Sequence, residues 1–263
     1  MIGFGSFVEP QLITVRHEQI EITPNPSRVL HAVLISDTHV GPYKGERFFM
    51  RVVDTITEIH PDIIFVAGDF TASSSEQISE LSPLATLTSV YPTYAVLGNH
   101  DYRLGMDEDP VDEENAAEIQ RVLDRYGVHV LKNDGIFLDE KRLWIAGTTE
   151  LWTGQADIQA ALLNRPLAET PTILISHNPD IVRQIATNQQ IDLVLAGHTH
   201  GGQIRLPLIG PVPPIPDQLG RAYDRGLFDY KGTKLFITSG IGESGPRARL
   251  FNPPEIVVLT IQY

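Results

Sequence analysis

Short apolar runs, each ending in residues able to bind a cation, constrain this chain more than any other feature. Val29-Leu30-His31-Ala32-Val33-Leu34-Ile35 stops at Ser36-Asp37-Thr38-His39. Asp62-Ile63-Ile64-Phe65-Val66-Ala67 stops at Gly68-Asp69, and Thr93-Tyr94-Ala95-Val96-Leu97 at Gly98-Asn99-His100-Asp101. Thr172-Ile173-Leu174-Ile175-Ser176 leads into His177, and Ile191-Asp192-Leu193-Val194-Leu195-Ala196 into Gly197-His198-Thr199-His200-Gly201-Gly202-Gln203. Runs of this kind read as buried strands. Helical spacing separates them: Phe48, Phe49, Val52, Val53, Ile56 and Ile59 predict a helix over 47–59, and a second is expected over 76–87. Strands alternating with helices mean an α/β fold with a mainly parallel sheet, in which ligands gather at the carboxyl ends of strands.

The rest of the chain adds elements to that frame. Residues 11–22 hold two alternating stretches divided by Arg16-His17-Glu18-Gln19, which reads as a hairpin on a sheet edge. A helix is expected over 113–126. Strands are expected over 128–131, 135–138 and 143–147, with an Asn133-Asp134-Gly135 turn between the first two. Strands so close together imply a second, mixed sheet packed on the first. Helices over 156–163 and 180–186 follow, the latter capped by Asn178, and the strands 234–238 and 255–261 close the chain. Residues 206–216 carry Pro207, Pro211, Pro213, Pro214 and Pro216, so they form no helix. They read as a rigid flap beside the site. Leu206, Leu208, Ile209, Val212 and Ile215 either cover a sheet edge or offer apolar contact to an acyl chain or a bilayer surface. With no repeat and no linker break, residues 1–263 read as one domain. The opening eight residues read either as the stub of a trimmed leader or anchor or as a first strand. No run of 18 apolar residues occurs, so nothing in the chain spans a membrane as a helix.

With no cysteine, any metal must be held by nitrogen and oxygen ligands. A net charge of −13 argues against a broad nucleic-acid surface. It leaves phosphate substrates open, because two divalent cations make a site locally positive. His198 and His200, at i and i+2 on an extended segment, face the same way. Five of the nine histidines lie in strand-end motifs; His17, His31, His60 and His129 have no such context and read as filler. The acidic residues Asp107, Glu108, Asp109, Asp112, Glu113 and Glu114 read as a solvated loop and a helix start in preference to a cation site. Trp144 reads as core. Trp152 reads as surface packing, with a substrate role as the alternative.

The order Asp37-Thr38-His39, Gly68-Asp69, Gly98-Asn99-His100-Asp101, His177, Gly197-His198-Thr199-His200 resembles the calcineurin-like metallophosphoesterase superfamily, whose signatures run D-x-H, GD, GNH[DE], H and GHxH. GHTHGGQ, Arg205-Leu206-Pro207 and Asn252-Pro253-Pro254-Glu255-Ile256 look like a bacterial branch of it. That branch includes leader-bearing or membrane-anchored phosphodiesterases and hydrolases of UDP-2,3-diacylglucosamine. The resemblance implies a four-layer αββα sandwich of two mixed sheets flanked by helices. It implies two divalent ions, manganese first with Fe, Zn, Co, Ni or Mg as alternatives. One ion would take Asp37, His39, Asp69 and His200; the other would take Asp69, Asn99, His177 and His198, with Asp69 bridging. A metal-bridging hydroxide would then cleave a phosphodiester or pyrophosphate bond. His100 would act on the leaving-group side, with Asp101 orienting it or biasing its protonation. Arg249, and less closely Arg247, match the branch's phosphate-binding arginine. The implied substrate is a small-molecule or lipid-linked phosphate such as UDP-2,3-diacylglucosamine, which belongs to lipid A biosynthesis. Soluble nucleotides or small phosphoesters are the alternative, and a non-catalytic metal-binding scaffold is a third reading. The implied location is cytoplasmic or membrane-peripheral. The chain departs from many relatives at Ala72, where they carry an acid three residues after the motif aspartate.

Overall fold

The computed structural model describes residues 2–72, 74–105 and 110–263. Its elements are α1 (Ile2–Phe7), β1 (Thr14–Glu21), β2 (Val29–Ile35), α2 (Glu46–Ile59), β3 (Ile63–Ala67), α3 (Leu84–Thr88), β4 (Thr93–Val96), α4 (Glu113–Arg125), β5 (His129–Val130), β6 (Asp134–Leu138) and β7 (Leu143–Gly147). They continue with α5 (Ile158–Ala161), β8 (Thr172–Ile175), β9 (Leu193–Ala196), β10 (Arg205–Leu206), β11 (Gly210–Pro211), β12 (Gly226–Tyr230), β13 (Thr233–Ile237) and β14 (Glu255–Gln262). One sheet has the order β1-β14-β2-β3-β4-β5, and the other β12-β13-β9-β8-β7-β6.

Side-chain alternation explains how the sheets stack. Along β2, Leu30, Ala32 and Leu34 turn to one face and Val33 and Ile35 to the other. The first set meets Ile145, Ile173, Ile175, Leu193, Leu195 and Phe236 of the opposite sheet, forming the inter-sheet core. The second set packs under α2, α3 and α4 through Val52, Ile56, Leu84, Leu87, Ile119 and Leu123. On the far side, Ala146, Leu174, Val194 and Ala196 are covered by Ile158, Ala161 and Ile181. Helices, sheet, sheet and helices make the expected four layers. Strands β2, β3 and β4 run parallel in one sheet, and β8 and β9 run parallel in the other. Their carboxyl ends therefore emerge together.

Several expectations need correction. Residues 11–22 form no hairpin: β1 is one strand, parallel to β14 along its whole length. The opening segment is a helix, not a strand. The helix expected over 76–87 is two pieces, a 3₁₀ turn over Ser75–Leu81 and then α3. They part at Pro83, which has no N–H to continue the ladder. The 180–186 helix is a 3₁₀ segment over Pro179–Gln184, capped by Asn178 as expected. The Asn133 turn does not join paired strands, because β5 lies in the first sheet and β6 in the second. Strand β12 was not anticipated. Asp107, Glu108 and Asp109 lie outside the described residues; Asp112 caps α4 through the Asn115 N–H at 2.9 Å. Among the described residues, no helix is long and apolar enough to cross a membrane.

Candidate metal centre

The strand ends bring seven donor residues to one point between the sheets. Asp37, His39, Asp69 and Asn99 come from the first sheet, and His177, His198 and His200 from the second. The backbone turns abruptly as it leaves each strand. Asp37, His39, Asp69, His198 and His200 all have φ between 41° and 69°, a left-handed region that non-glycine residues seldom occupy. Such strain costs on the order of 1–3 kcal/mol per residue and persists only where surrounding contacts hold it. Glycines make the close approach feasible. A Cβ on Gly98 would collide with the Asp69 carboxylate and lie 2.5 Å from the Asp69 nitrogen.

Two clusters of acceptors result. In the first, one donor atom each from Asp37, His39, Asp69 and His200 lie within 4.8 Å of one another. His39 Nε2 is 3.1 Å from His200 Nε2 and 3.3 Å from Asp69 Oδ2, and His200 Nε2 is 3.3 Å from Asp37 Oδ1. In the second, His177 Nε2 is 3.3 Å from the same Asp69 Oδ2, 3.1 Å from Asn99 Oδ1 and 3.2 Å from His198 Nδ1. His198 Nδ1 is 2.9 Å from Asn99 Oδ1. The outer hydrogen bonds fix which atoms point inward. His177 Nδ1–H donates to Ala67 O at 2.7 Å, His198 Nε2–H to Pro216 O at 3.3 Å, and Asn99 Nδ2 to Leu104 O at 2.7 Å. That leaves lone pairs on His177 Nε2, His198 Nδ1 and Asn99 Oδ1 converging with a carboxylate oxygen. Four acceptors facing one another without a proton suit a cation, and outward hydrogen bonds of this kind are how metal-ligating histidines are oriented. The first cluster gathers similar donor atoms, but its remaining nitrogens, His39 Nδ1 and His200 Nδ1, are buried and unpartnered, so no outward hydrogen bond fixes their tautomers. The residues fit two divalent ions sharing Asp69.

The electrostatics divide the histidines: burial opposes charge on His177 and His39, but Asp69 outweighs it and raises both, so a binding cation would displace a proton from them. Burial opposes charge on Asp69, but the His177 and His100 rings and hydrogen bonds from His177 and His39 outweigh it and hold its carboxyl well below the usual range. Burial, then the neighbouring His177, pushes His198 down to about 3. Burial, then His39, likewise pushes His200 well below its usual value. Neutral imidazole is the form that binds metal.

His100 stands at the edge of the cluster, its ring edge-on to His39 at 4.7 Å. Its Nδ1–H donates to Ala72 O at 2.8 Å, and its Nε2 lies 3.3 Å from Ser244 Oγ. That bond uses the backbone of position 72, so it does not depend on the alanine side chain there. Asp101 does not orient His100 directly. Its carboxylate accepts from Gly98 N at 2.9 Å, Phe70 N at 2.9 Å and Thr71 N at 3.2 Å, pinning two motif loops together. Burial and then the charge of Asp69 push its carboxyl up to about 7.

The two arginines do not reach the site. Arg249 is completely buried and donates to Ser239 O (2.8 Å), Gly240 O (3.2 Å), Gly242 O (2.6 and 2.9 Å) and Asn252 O (3.1 Å). Arg247 stands 5.2 Å over the ring of Phe7 and 5.8 Å over that of Tyr43. What sequence reasoning missed lies mostly in backbone groups, which have no residue signature. Gln203 is the exception, since it ends the GHTHGGQ run. Its amide accepts from Ser244 N at 2.9 Å and donates to Ser244 O and Pro246 O, holding that loop at the site. A cavity of about 460 Å³ opens over the centre, lined in part by Trp152 and by the flap prolines Pro213, Pro214 and Pro216. Trp152 is therefore at the site, edge-on to His198 at 4.7 Å.

Comparison with known proteins identifies the family of the chain. An Escherichia coli phosphodiesterase, YaeI, is 28% identical over 267 residues, covering 98% of this chain and 92% of that one. An uncharacterized metallophosphoesterase of Campylobacter jejuni is 31% identical over 258 residues, covering 94% of this chain and 63% of that one. The chain spans about three fifths of the length of the Campylobacter and Helicobacter pylori relatives it matches. A solved phosphopantetheinyl hydrolase from Mycobacterium tuberculosis aligns with a TM-score of 0.49 and 14% identity, over 82% of this chain and 90% of that one. The model of the calcineurin-like phosphoesterase family matches residues 30–202, and the chain belongs to that family.

Proposed function

We propose that residues 1–263 form one catalytic domain, a dinuclear metal-dependent hydrolase that cleaves phosphodiesters. The observation that carries this reading is the pair of acceptor clusters meeting at one atom, Asp69 Oδ2, 3.3 Å from both His39 Nε2 and His177 Nε2. Asp37, His39, Asp69 and His200 would hold one ion, and Asp69, Asn99, His177 and His198 the other. When bound, two divalent cations supply positive charge for the phosphoryl oxygens and lower the pKa of water in the site. Manganese suits this nitrogen and oxygen donor set, as do its first-row neighbours.

The chain's own groups do the rest. His100 keeps its Nδ1 proton on Ala72 O, so Nε2 is the atom that exchanges a proton with the departing oxygen. Ser244 Oγ steadies that nitrogen. Asp101 keeps the 68–71 and 98–101 loops in register, so Asp69 and Asn99 stay aligned. The exposed flap residues Leu208, Ile209 and Val212 support a membrane-peripheral placement. Leu208→Asp with Ile209→Asp should then abolish co-sedimentation with phosphatidylcholine vesicles; wild-type protein that never sediments would refute the placement.

The test of function strips the metal, restores manganese, and follows bis-p-nitrophenyl phosphate against p-nitrophenyl phosphate, with His200→Ala alongside. Diester cleavage that returns with manganese and is lost in the variant is expected, with two ions per chain by elemental analysis. Turnover indifferent to metal, or fully retained in His200→Ala, would refute the reading.

A further inference from the structure

The cavity over the centre is short of positive charge. Among the described residues lining it there is no lysine or arginine. Its apolar lining comes from Trp152, Ile204, Pro213, Pro214, Pro216 and Pro246. Most cations that the fold brings nearby are engaged with carbonyls or carboxylates, and Arg247, next to the lining Pro246, stands over the rings of Phe7 and Tyr43. Arg205 donates to Gly201 O at 2.7 Å and pairs with Asp224. Arg221 donates to Pro211 O, and Arg225 to Asn252 Oδ1. Arg249 is wholly occupied by carbonyls, and Lys44 is buried on Pro10 O beside Glu243. Both ends of the Gln203 amide are taken by the 244–246 loop.

Phosphate moved out of water without a counter-charge is strongly disfavoured. The metal centre can neutralise one phosphoryl group. A second phosphate in the cavity would meet proline, tryptophan and the neutral hydroxyls of Thr199 and Ser244, which are engaged with Asp224 O and His100 Nε2. Apolar pockets of a few hundred cubic ångströms suit small organic groups instead.

We infer that the substrate carries a single phosphate with an aromatic or aliphatic substituent that packs against Trp152 and the flap prolines, and that pyrophosphate-linked nucleotides are excluded. The inference rests on the phosphodiesterase reading and narrows it, and it disfavours a UDP-linked lipid.

The test uses the full chain loaded with manganese. Titration calorimetry compares phenylphosphonate with methylphosphonate, and UDP with UMP. Phenylphosphonate should bind about tenfold tighter or better, the increment expected for burying one ring. Trp152→Ala should shrink that preference to about threefold or less with metal content unchanged; Trp152→Gln serves if alanine unfolds the protein. UDP should bind no tighter than UMP, and UDP-glucose should be cleaved with kcat/KM about a hundredfold or more below that of bis-p-nitrophenyl phosphate. UDP binding about tenfold tighter than UMP, or UDP-glucose cleaved as well as the diester, would overturn the inference. The function reading fails separately: then no diester is cleaved, while the phosphonate ranking still decides the inference.

Discussion

Replacing Arg249 with methionine should destabilise the whole protein and leave substrate affinity nearly unchanged. The guanidinium makes five hydrogen bonds to four carbonyls in the otherwise irregular segment 239–252. Methionine fills similar volume but donates nothing, so Ser239 O, Gly242 O and Asn252 O lose their partner in a region without solvent, while Gly240 O keeps the Glu255 N–H. Each buried orphan costs about 1–3 kcal/mol. Relaxation and water entry recover part of the nominal total, so about 3–5 kcal/mol is the expected net loss, at the upper end of single substitutions. For a chain of this size that corresponds to a melting temperature lower by roughly 6–20 °C. Arg249→Lys, with three donors on one point, should recover only part of it. The assays are guanidinium unfolding and KM for bis-p-nitrophenyl phosphate on the folded fraction. Stability within about 1 kcal/mol of wild type, together with a tenfold rise in KM, would refute the reasoning and restore the arginine to phosphate binding.

Other perturbations test other parts of the structure. Gly98→Ala should displace the Asp69 carboxylate, so elemental analysis should find fewer than two ions per chain in a still-folded protein; full occupancy would contradict the packing described. His100→Asn should lower kcat by about a hundred- to ten-thousand-fold with both ions retained, and an unchanged kcat would remove His100 from the chemistry. Burial pushes Lys44 down to about 7, so between pH 7 and its ordinary value the unfolded chain holds more protons than the native one. Native stability therefore rises with pH through that window. In Lys44→Met this gain is absent and Glu243 stays buried without its partner. Urea unfolding at pH 6.5 and pH 9 should show the gap between wild type and variant widening with pH, and a constant gap would argue against the shift.

The strand-end motifs were legible because they depend on local rules. Unbroken apolar runs mark the buried strands, and a strand's end is where polar residues can leave the core, so Asp37, Asp69, Asn99, His177 and His198 declare themselves in order. The roles of Arg249 and Asp101 were not legible, since both are set by backbone groups distant in sequence. A clue existed for Arg249: residues 239–254 are rich in glycine and proline and form no ladder, so their carbonyls need a donor from somewhere. The misread hairpin has a similar cause. Seven of the eight β1 residues are exposed or half-buried, so the strand carries no strong inward pattern, and its partner β14 is at the other end of the chain. The broken helix at Pro83 was legible, and only its apolar spacing argued otherwise.

Each proposed centre draws donors from both sheets, and His39 and His200, which share one centre, are 161 residues apart in the chain. During synthesis, then, neither centre can be completed until β9 has left the ribosome and docked against the first sheet. The half-site of Asp37, His39, Asp69 and Asn99 emerges early but offers only part of either coordination set. Metal capture by either proposed centre would thereby wait until the two sheets have found their register. Non-local assembly of this kind is slow. It also means that a chain truncated before β9 should show no high-affinity metal uptake, however well its first sheet folds.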